Sequence, residues 1–430
     1  MIPSKTTNHR SLRGYGVWGV LALLLWSGAV PLKHGALLQA GEALDEWKAA
    51  KQQFLLGIKT KDADAVLDAL ESFRVFDSEE VAELLVRHGL SHQDMEVYRE
   101  SELLLRSLNN KDAQKVVARV AHKDKSRFLR ADCVRILAHY RTEETFAQLK
   151  ELLEDKEWLV RSESIRAIST IREKRVVPVL IARMHKEEGR ILDDLRDALQ
   201  DLTKQSFRAD AKEWQSWWDA FGKTLELPPE DATGPSTVRK KLGTAVKEGL
   251  YGNVVSQRVA FLIDVSGSMT AGTDMAGTRH EIATKELVRV LENQVGPDSE
   301  FNVIAFSDEV HPFGPKLQKG KGAKVKKGIR FVKSLKAGGE TNAYGALEKA
   351  FQDTKVDTIY VLSDGSPTVG EETIPALILR QVQEWNRYRG VKVHCIGFFP
   401  GEARHQDKAE ARTFLIDLAD QNRGRYVEID

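Results

Sequence analysis

The sequence predicts a multidomain chain: an all-α solenoid followed by an α/β doubly wound domain with a mostly parallel sheet. Three observations predict it. From residue 42 to about 221, apolar positions recur three and four apart, charges fill the gaps, and Pro178 is the single proline, which is the period of amphipathic helices. Residues 227–253 carry Pro228-Pro229 and Gly234-Pro235 with little apolar periodicity, as a linker does. Beyond residue 257, short runs of β-branched and aromatic residues alternate with helical stretches. At 430 residues the chain is also too long for one ordinary core. The expected boundaries are 1–40 for an N-terminal export segment, 41–225 for the helical domain, 226–256 for the linker and 257–430 for the α/β domain.

The helical part contains a repeat. Leu129-Arg130-Ala131-Asp132-Cys133-Val134-Arg135-Ile136-Leu137 aligns with Val160-Arg161-Ser162-Glu163-Ser164-Ile165-Arg166-Ala167-Ile168, an offset of 31 positions (129 to 160). A weaker third copy runs from Asp194 to Leu199, and second helices are expected at 144–153 and 176–184. Two helices in each unit of about 30 residues is the signature of an α-solenoid. Over roughly 110–202 the segment resembles HEAT-type repeats, in which a short acidic turn such as Glu154-Asp155 precedes a helix with a Val-Arg pair such as Val160-Arg161. Before residue 110 the period fades, and a plain bundle fits as well as a solenoid. Phe207, Trp214, Trp217, Trp218 and Phe221 have the spacing of one helix face that caps the end of the solenoid. His88 and His92 stand i, i+4, but with Gly89 between them and no third ligand they read as surface histidines rather than a zinc clamp.

In the second domain, strands are expected at 259–263, 301–306, 358–362, 391–398 and 426–429. Helices are expected at 281–294, 343–352, 374–388 and 409–420. The central runs are apolar on both faces, which implies a parallel sheet covered on both sides. In such sheets ligands collect at the carboxyl ends of the strands, where strand order reverses. Several polar residues fall there. The first strand runs into Asp264-Val265-Ser266-Gly267-Ser268, the third ends in Ser363-Asp364-Gly365, and Gly338-Gly339-Glu340-Thr341-Asn342 precedes a helix. Asp264, Ser266, Ser268, Thr341 and Asp364 form an all-oxygen set suited to a hard cation, Mg²⁺ first, with Mn²⁺ or Ca²⁺ as alternatives.

Asp-x-Ser-x-Ser followed by a distant Thr and a distant Asp resembles the metal-ion-dependent adhesion site (MIDAS) of von Willebrand factor A (vWA) domains, and the resemblance spans about 257–430. It implies a Rossmann-like vWA fold in which Ser266, Ser268 and sometimes Thr341 ligate directly, while Asp264 and Asp364 often act through water. A coordination position stays open for a carboxylate of a partner protein. The long connection 270–278 departs from the usual pattern and is expected to reshape the rim.

A basic stretch precedes the Thr341 loop: Lys316, Lys319, Lys321, Lys324, Lys326, Lys327, Arg330, Lys333 and Lys336, with no acidic residue among them. It reads either as a solvated surface or as a collar steering an acidic partner to the metal, with Lys319, Lys321, Lys324, Lys326, Lys327 and Arg330 as candidate partner-binding residues. The formal net charge of +1 gives no global attraction to nucleic acid or membrane. Cys133 and Cys395 are the two cysteines and fall in different domains, so no disulfide framework is expected.

At the N-terminus, Lys5, Arg10 and Arg13 precede an apolar run over 17–30, then Pro31 and small residues. That is the layout of a signal peptide, with candidate cleavage sites after Ala29 or Ala40. An uncleaved anchor over 17–38 is the alternative, weakened by Pro31, Lys33 and His34, and a chance apolar stretch is a third. Either export reading puts the chain outside the cytoplasm, secreted, periplasmic or envelope-associated. No nucleotide-binding glycine loop, zinc-hydrolase helix or nucleophile elbow is present, and Ser266 lacks the Gly-x-Ser-x-Gly spacing. The expectation is therefore a non-catalytic, cation-dependent protein-binding protein of adhesion or scaffold type, the helical repeats offering a second partner surface. The alternatives are an accessory subunit of a chelatase- or ATPase-type complex, usually cytoplasmic, and an envelope scaffold whose metal site has lapsed.

Overall fold

A computed structural model of the chain describes residues 34–228, 237–240, 249–273, 277–399 and 406–429. The apolar run over 17–30, and with it the expected export signal or anchor, lies outside the described residues. Among the described residues no helix is long and apolar enough to cross a membrane. The chain divides into two compact units, Met1–Ile171 and Arg172–Asp430.

The first unit is all helical: α1 (His34–Thr60), α2 (Ala63–Phe73), α3 (Glu79–Leu84) with one π turn after it (Leu85–Gly89), α4 (Met95–Ser107), α5 (Lys111–Lys123), α6 (Arg127–Leu137), α7 (Glu143–Leu152) and α8 (Trp158–Ser169). Most starts are set by a side-chain cap: Asp62, Ser78, Asp94, Asn110, Ser126 and Thr142 each accept a backbone N–H of the first turn, a contact that stabilises by about 1 kcal/mol. One continuous apolar core runs from Trp47 to Ala167. The 31-residue repeat is visible as a repeated set of bonds. Arg130 donates to the carbonyl of Asp124 at 2.8 Å, and Arg161 to that of Asp155 at 2.9 Å. Asp124 in turn accepts from the N–H of Ser126, and Asp155 from that of Glu157. Asp155 also grips Arg130 of the preceding repeat through two bonds of 2.9 Å. A buried network of Tyr98, Asp132, Arg135 and Glu163 links α4, α6 and α8.

The second unit begins with α9 (Val176–Met184), α10 (Arg190–Thr203) and α11 (Ala211–Phe221). On α11, Trp214 and Trp217 are buried and pack on Phe207, whereas Phe221 is 58% exposed and stays outside that cluster. The expected linker holds more structure than its composition suggests. Thr237–Lys240 forms strand β1, and Leu250, Tyr251 and Val254 enter the core of the α/β domain.

That domain continues with β2 (Arg258–Asp264), α12 (Arg279–Asn293), β3 (Glu300–Phe306), β4 (Val310–Pro312), β5 (Gln318–Lys319), α13 (Gly322–Ser334), α14 (Ala343–Phe351), β6 (Thr358–Ser363), α15 (Pro375–Asn386), β7 (Lys392–Phe398), α16 (Gln406–Gln421) and β8 (Tyr426–Ile429). Strand order is β1-β8-β7-β6-β2-β3-β4, with β5 also on β3. All pairs are parallel except β4 and β5 on β3. The alternation of β2 explains the two-sided burial: Val259, Phe261 and Ile263 enter one core, Ala260 and Leu262 the other. After β2 the chain adds β3 on one side and then crosses to place β6 on the other, so the order reverses between β2 and β6. Both cysteines are buried and free.

The compact division falls at Arg172, ahead of the change from helix to sheet, because α10 is bonded to the amino end of β7. Lys392 is buried and lies 2.9 Å from Asp193, 2.8 Å from Asp194 and 2.9 Å from Asp197. The three carboxylates hold its ammonium charged in spite of burial, and the surrounding cations hold Asp193 well below the usual carboxylate range. His394, two residues along β7, stacks on Tyr360 with ring centroids 4.7 Å apart.

Candidate metal centre

The reversal point carries the five residues. Asp264 closes β2, and a 3₁₀ turn over Gly267–Thr270 follows it, bringing Ser266 and Ser268 back over the strand end. Asp364 follows β6 directly. The Thr341 loop is tied to the first loop by two backbone bonds of 2.8 Å, Gly267 N–H to the Gly339 carbonyl and Gly338 N–H to the Val265 carbonyl. Gly339 makes this approach with φ +83, a conformation that glycine adopts without strain. Thr341 donates its N–H to the Thr368 hydroxyl at 2.9 Å and accepts the Thr368 N–H at 3.0 Å. Three separate chain segments thus meet at one carboxyl edge.

Asp264, Ser266, Thr341 and Asp364 are buried and Ser268 is exposed, so the cluster opens to solvent through Ser268. The hydroxyls of Ser266 and Ser268 stand 3.0 Å apart, and Ser268 donates to Asp364 Oδ1 at 2.6 Å. A Cβ on Gly365 would lie 3.8 Å from Thr341 Oγ1 and 3.9 Å from Ser268 Oγ, so both hydroxyls face that glycine. Asp264 sits beneath, its Oδ1 accepting the Ser266 N–H at 2.8 Å and its Oδ2 the Ser363 hydroxyl at 2.5 Å. Burial pushes its carboxyl up to about 6, against the opposing pull of bonds from Ser266 and Ser363.

The donor set suits a small hard cation. Hydroxyl and carboxylate oxygens are the ligands that Mg²⁺ and Ca²⁺ both take, Mg²⁺ in near-octahedral geometry and Ca²⁺ with more ligands at longer distances. The 3.0 Å between the Ser266 and Ser268 hydroxyls is the length of the hydrogen bond they share. Among the described residues no group of three His, Cys, Asp or Glu side chains could hold a metal, so the hydroxyls are what make this site different in kind.

Three contributors were not singled out in the sequence. Ser363 and Thr368 orient Asp264 and Thr341, and the Ser-Asp pair at the end of β6 was the available signal for the first. Arg279, the first residue of α12, donates to Asp364 Oδ2. The connection before it narrows into a small antiparallel bridge between Gly272 and Thr278, and Thr278 and Glu281 form a capping box that starts the helix. The basic residues do not ring the site. Lys319 pairs with Glu300, the first residue of β3, at the edge opposite the hydroxyls. From there α13 climbs the height of the sheet, with Lys324, Lys326, Lys327, Arg330 and Lys333 exposed, to Lys336 just before the Thr341 loop. His88 is half-buried, edge-on to Phe54, and His92 accepts the N–H of Asp94.

Residues 259–366 match the von Willebrand factor type A domain family and residues 118–200 match HEAT repeats. Von Willebrand factor A domain-containing protein 3A of Homo sapiens is 32% identical over 178 residues, 41% of this chain and 14% of that protein. Inter-alpha-trypsin inhibitor heavy chain H4 of Homo sapiens is 32% identical over 165 residues, 35% of this chain and 16% of that protein. The chain therefore spans about a seventh of the length of these curated relatives. Among solved structures, a von Willebrand factor type A protein from Catenulispora acidiphila is similar at 20% identity and TM-score 0.33, over 41% of this chain and 39% of that one. The chain is an N-terminal helical repeat region followed by a vWA-like α/β domain with a mostly parallel sheet.

Proposed function

We propose that the α/β domain holds a divalent cation, Mg²⁺ in the first instance, on Ser266, Ser268 and Thr341 with Asp264 and Asp364 behind them, and uses it to bind a carboxylate of another protein. The homology to vWA-containing proteins and inter-alpha-trypsin inhibitor heavy chains is consistent with protein binding; the cation and the carboxylate are the added reading. One observation carries it: three hydroxyl residues and two carboxylates from three chain segments meet at one edge, where the Ser266 and Ser268 hydroxyls and Asp364 form one hydrogen-bonded row. Neutral hydroxyls are weak donors, so a bound cation keeps its pull on an incoming carboxylate. The proposed role is non-catalytic, since Ser266 lacks the Gly-x-Ser-x-Gly spacing of a nucleophile elbow. The basic row on α13 steers acidic partners towards the edge, an effect that salt would screen. The layout of the N-terminal sequence supports action outside the cytoplasm, with the helical repeats as a second partner surface.

The test is affinity capture from the native envelope with and without EDTA, repeated with Asp264→Ala. The reading expects a partner that is released in both cases. A partner retained under all three conditions contradicts it.

A further inference from the structure

Arg279 is a buried cation in an unfavourable place. It occupies the first turn of α12, where the exposed N–H groups and the helix dipole disfavour positive charge, and it is 7% exposed. Its Nη1 donates to Asp364 Oδ2, while its Nε has no hydrogen-bond partner among the described residues. The other oxygen of the same carboxylate accepts from Ser268. Helix stability does not account for an arginine here; the charge of the site does. Asp264 and Asp364 are the two carboxylates of the site, and Arg279 is the one full positive charge bonded to either of them among the described residues. With both carboxylates ionised the three groups sum to −1. A divalent cation takes the sum to +1, and one partner carboxylate takes it to zero.

We infer that Arg279 sets the charge of this site. It holds Asp364 in the cation-free protein and weakens the grip on a divalent cation by like-charge repulsion across one carboxylate. It also leaves the loaded site with the single positive charge that one carboxylate neutralises. Arg279 is thus a positioning and affinity-setting residue, not a ligand. The inference rests on the cation-binding reading above.

The experiment is titration of the full chain with Mn²⁺, reading free aquo-Mn²⁺ by electron paramagnetic resonance, for the wild type, R279Q and R279K. R279Q keeps a hydrogen-bond donor for Asp364 but loses the charge, and is expected to bind Mn²⁺ at least ten-fold more tightly. R279K keeps the charge and is expected within about three-fold of wild type, which separates charge from shape. R279M, titrated in the same way, carries the same expectation as R279Q should that variant fold poorly. Equal or weaker Mn²⁺ binding by the charge-free variants, with wild type binding normally, overturns this inference alone. A wild type that binds no Mn²⁺ overturns the cation reading itself.

Discussion

At the residue scale, Asp264 trades stability for readiness to meet a cation. Burial raises its carboxyl from 3.8 to about 6 in the metal-free protein. A carboxyl with a raised folded-state pKa contributes stability below its unfolded value, and that contribution is lost as pH rises through about 6. At pH 8 the ionised, buried group therefore lowers stability by about 3 kcal/mol. Asp264→Asn keeps the acceptor for the Ser266 N–H, and it is expected to stabilise the EDTA-treated protein by about that amount at pH 8 and by little at pH 4. Urea unfolding at the two pH values checks this, and an equal gain at both would show that titration is not the cause. Since a proton and a cation compete for the same charge, Mn²⁺ affinity in the wild type is expected to weaken as pH falls below about 6.

At the element scale, the helical repeats are held together by the pair formed by Arg130 and Asp155, with side chains 4% and 11% exposed. Removing one partner of a buried pair leaves the other uncompensated, at a cost of about 3–5 kcal/mol. Asp155→Ala is expected to lower unfolding free energy by that order, while Asp112→Ala, whose bond to Lys115 is on the surface, is expected to leave it nearly unchanged. The same elements show how far the sequence could be read. The repeat helices and the central strands were legible because their apolar periods are long and their flanks carry caps and turns. β1, β4 and β5 were not: they are two to four residues long, and they become strands only through register with β8 or β3. The five candidate ligands were legible because each sits at a strand end or in the one Gly-rich loop. Arg279 was not, since only the folded chain brings α12 to the end of β6. An arginine in a first helical turn is nonetheless a usable signal that an anion stands nearby.

At the scale of the whole molecule, the buried ion cluster on Lys392 makes the last helices and the sheet one compact unit. Lys392 and His394 interrupt an apolar strand, and the carboxylates that answer Lys392 lie on α10, far away in the linear sequence. Lys392→Met leaves Asp193, Asp194 and Asp197 facing an apolar side chain, at a cost of about 3–5 kcal/mol. Backbone amides of α10 are then expected to exchange with solvent faster than those of β2 and β6, by hydrogen–deuterium exchange, while α10 protection equal to wild type would show that the cluster does not hold the helix.

Cation binding at the sheet edge is the premise of the functional account. Calorimetric titration of Mg²⁺ into the EDTA-stripped chain tests it most directly, with the Ser266→Ala/Ser268→Ala double variant alongside. The account predicts saturable one-to-one binding by the wild type and no detectable binding by the double variant. No Mg²⁺ binding by the wild type, or equal binding by both, would contradict it.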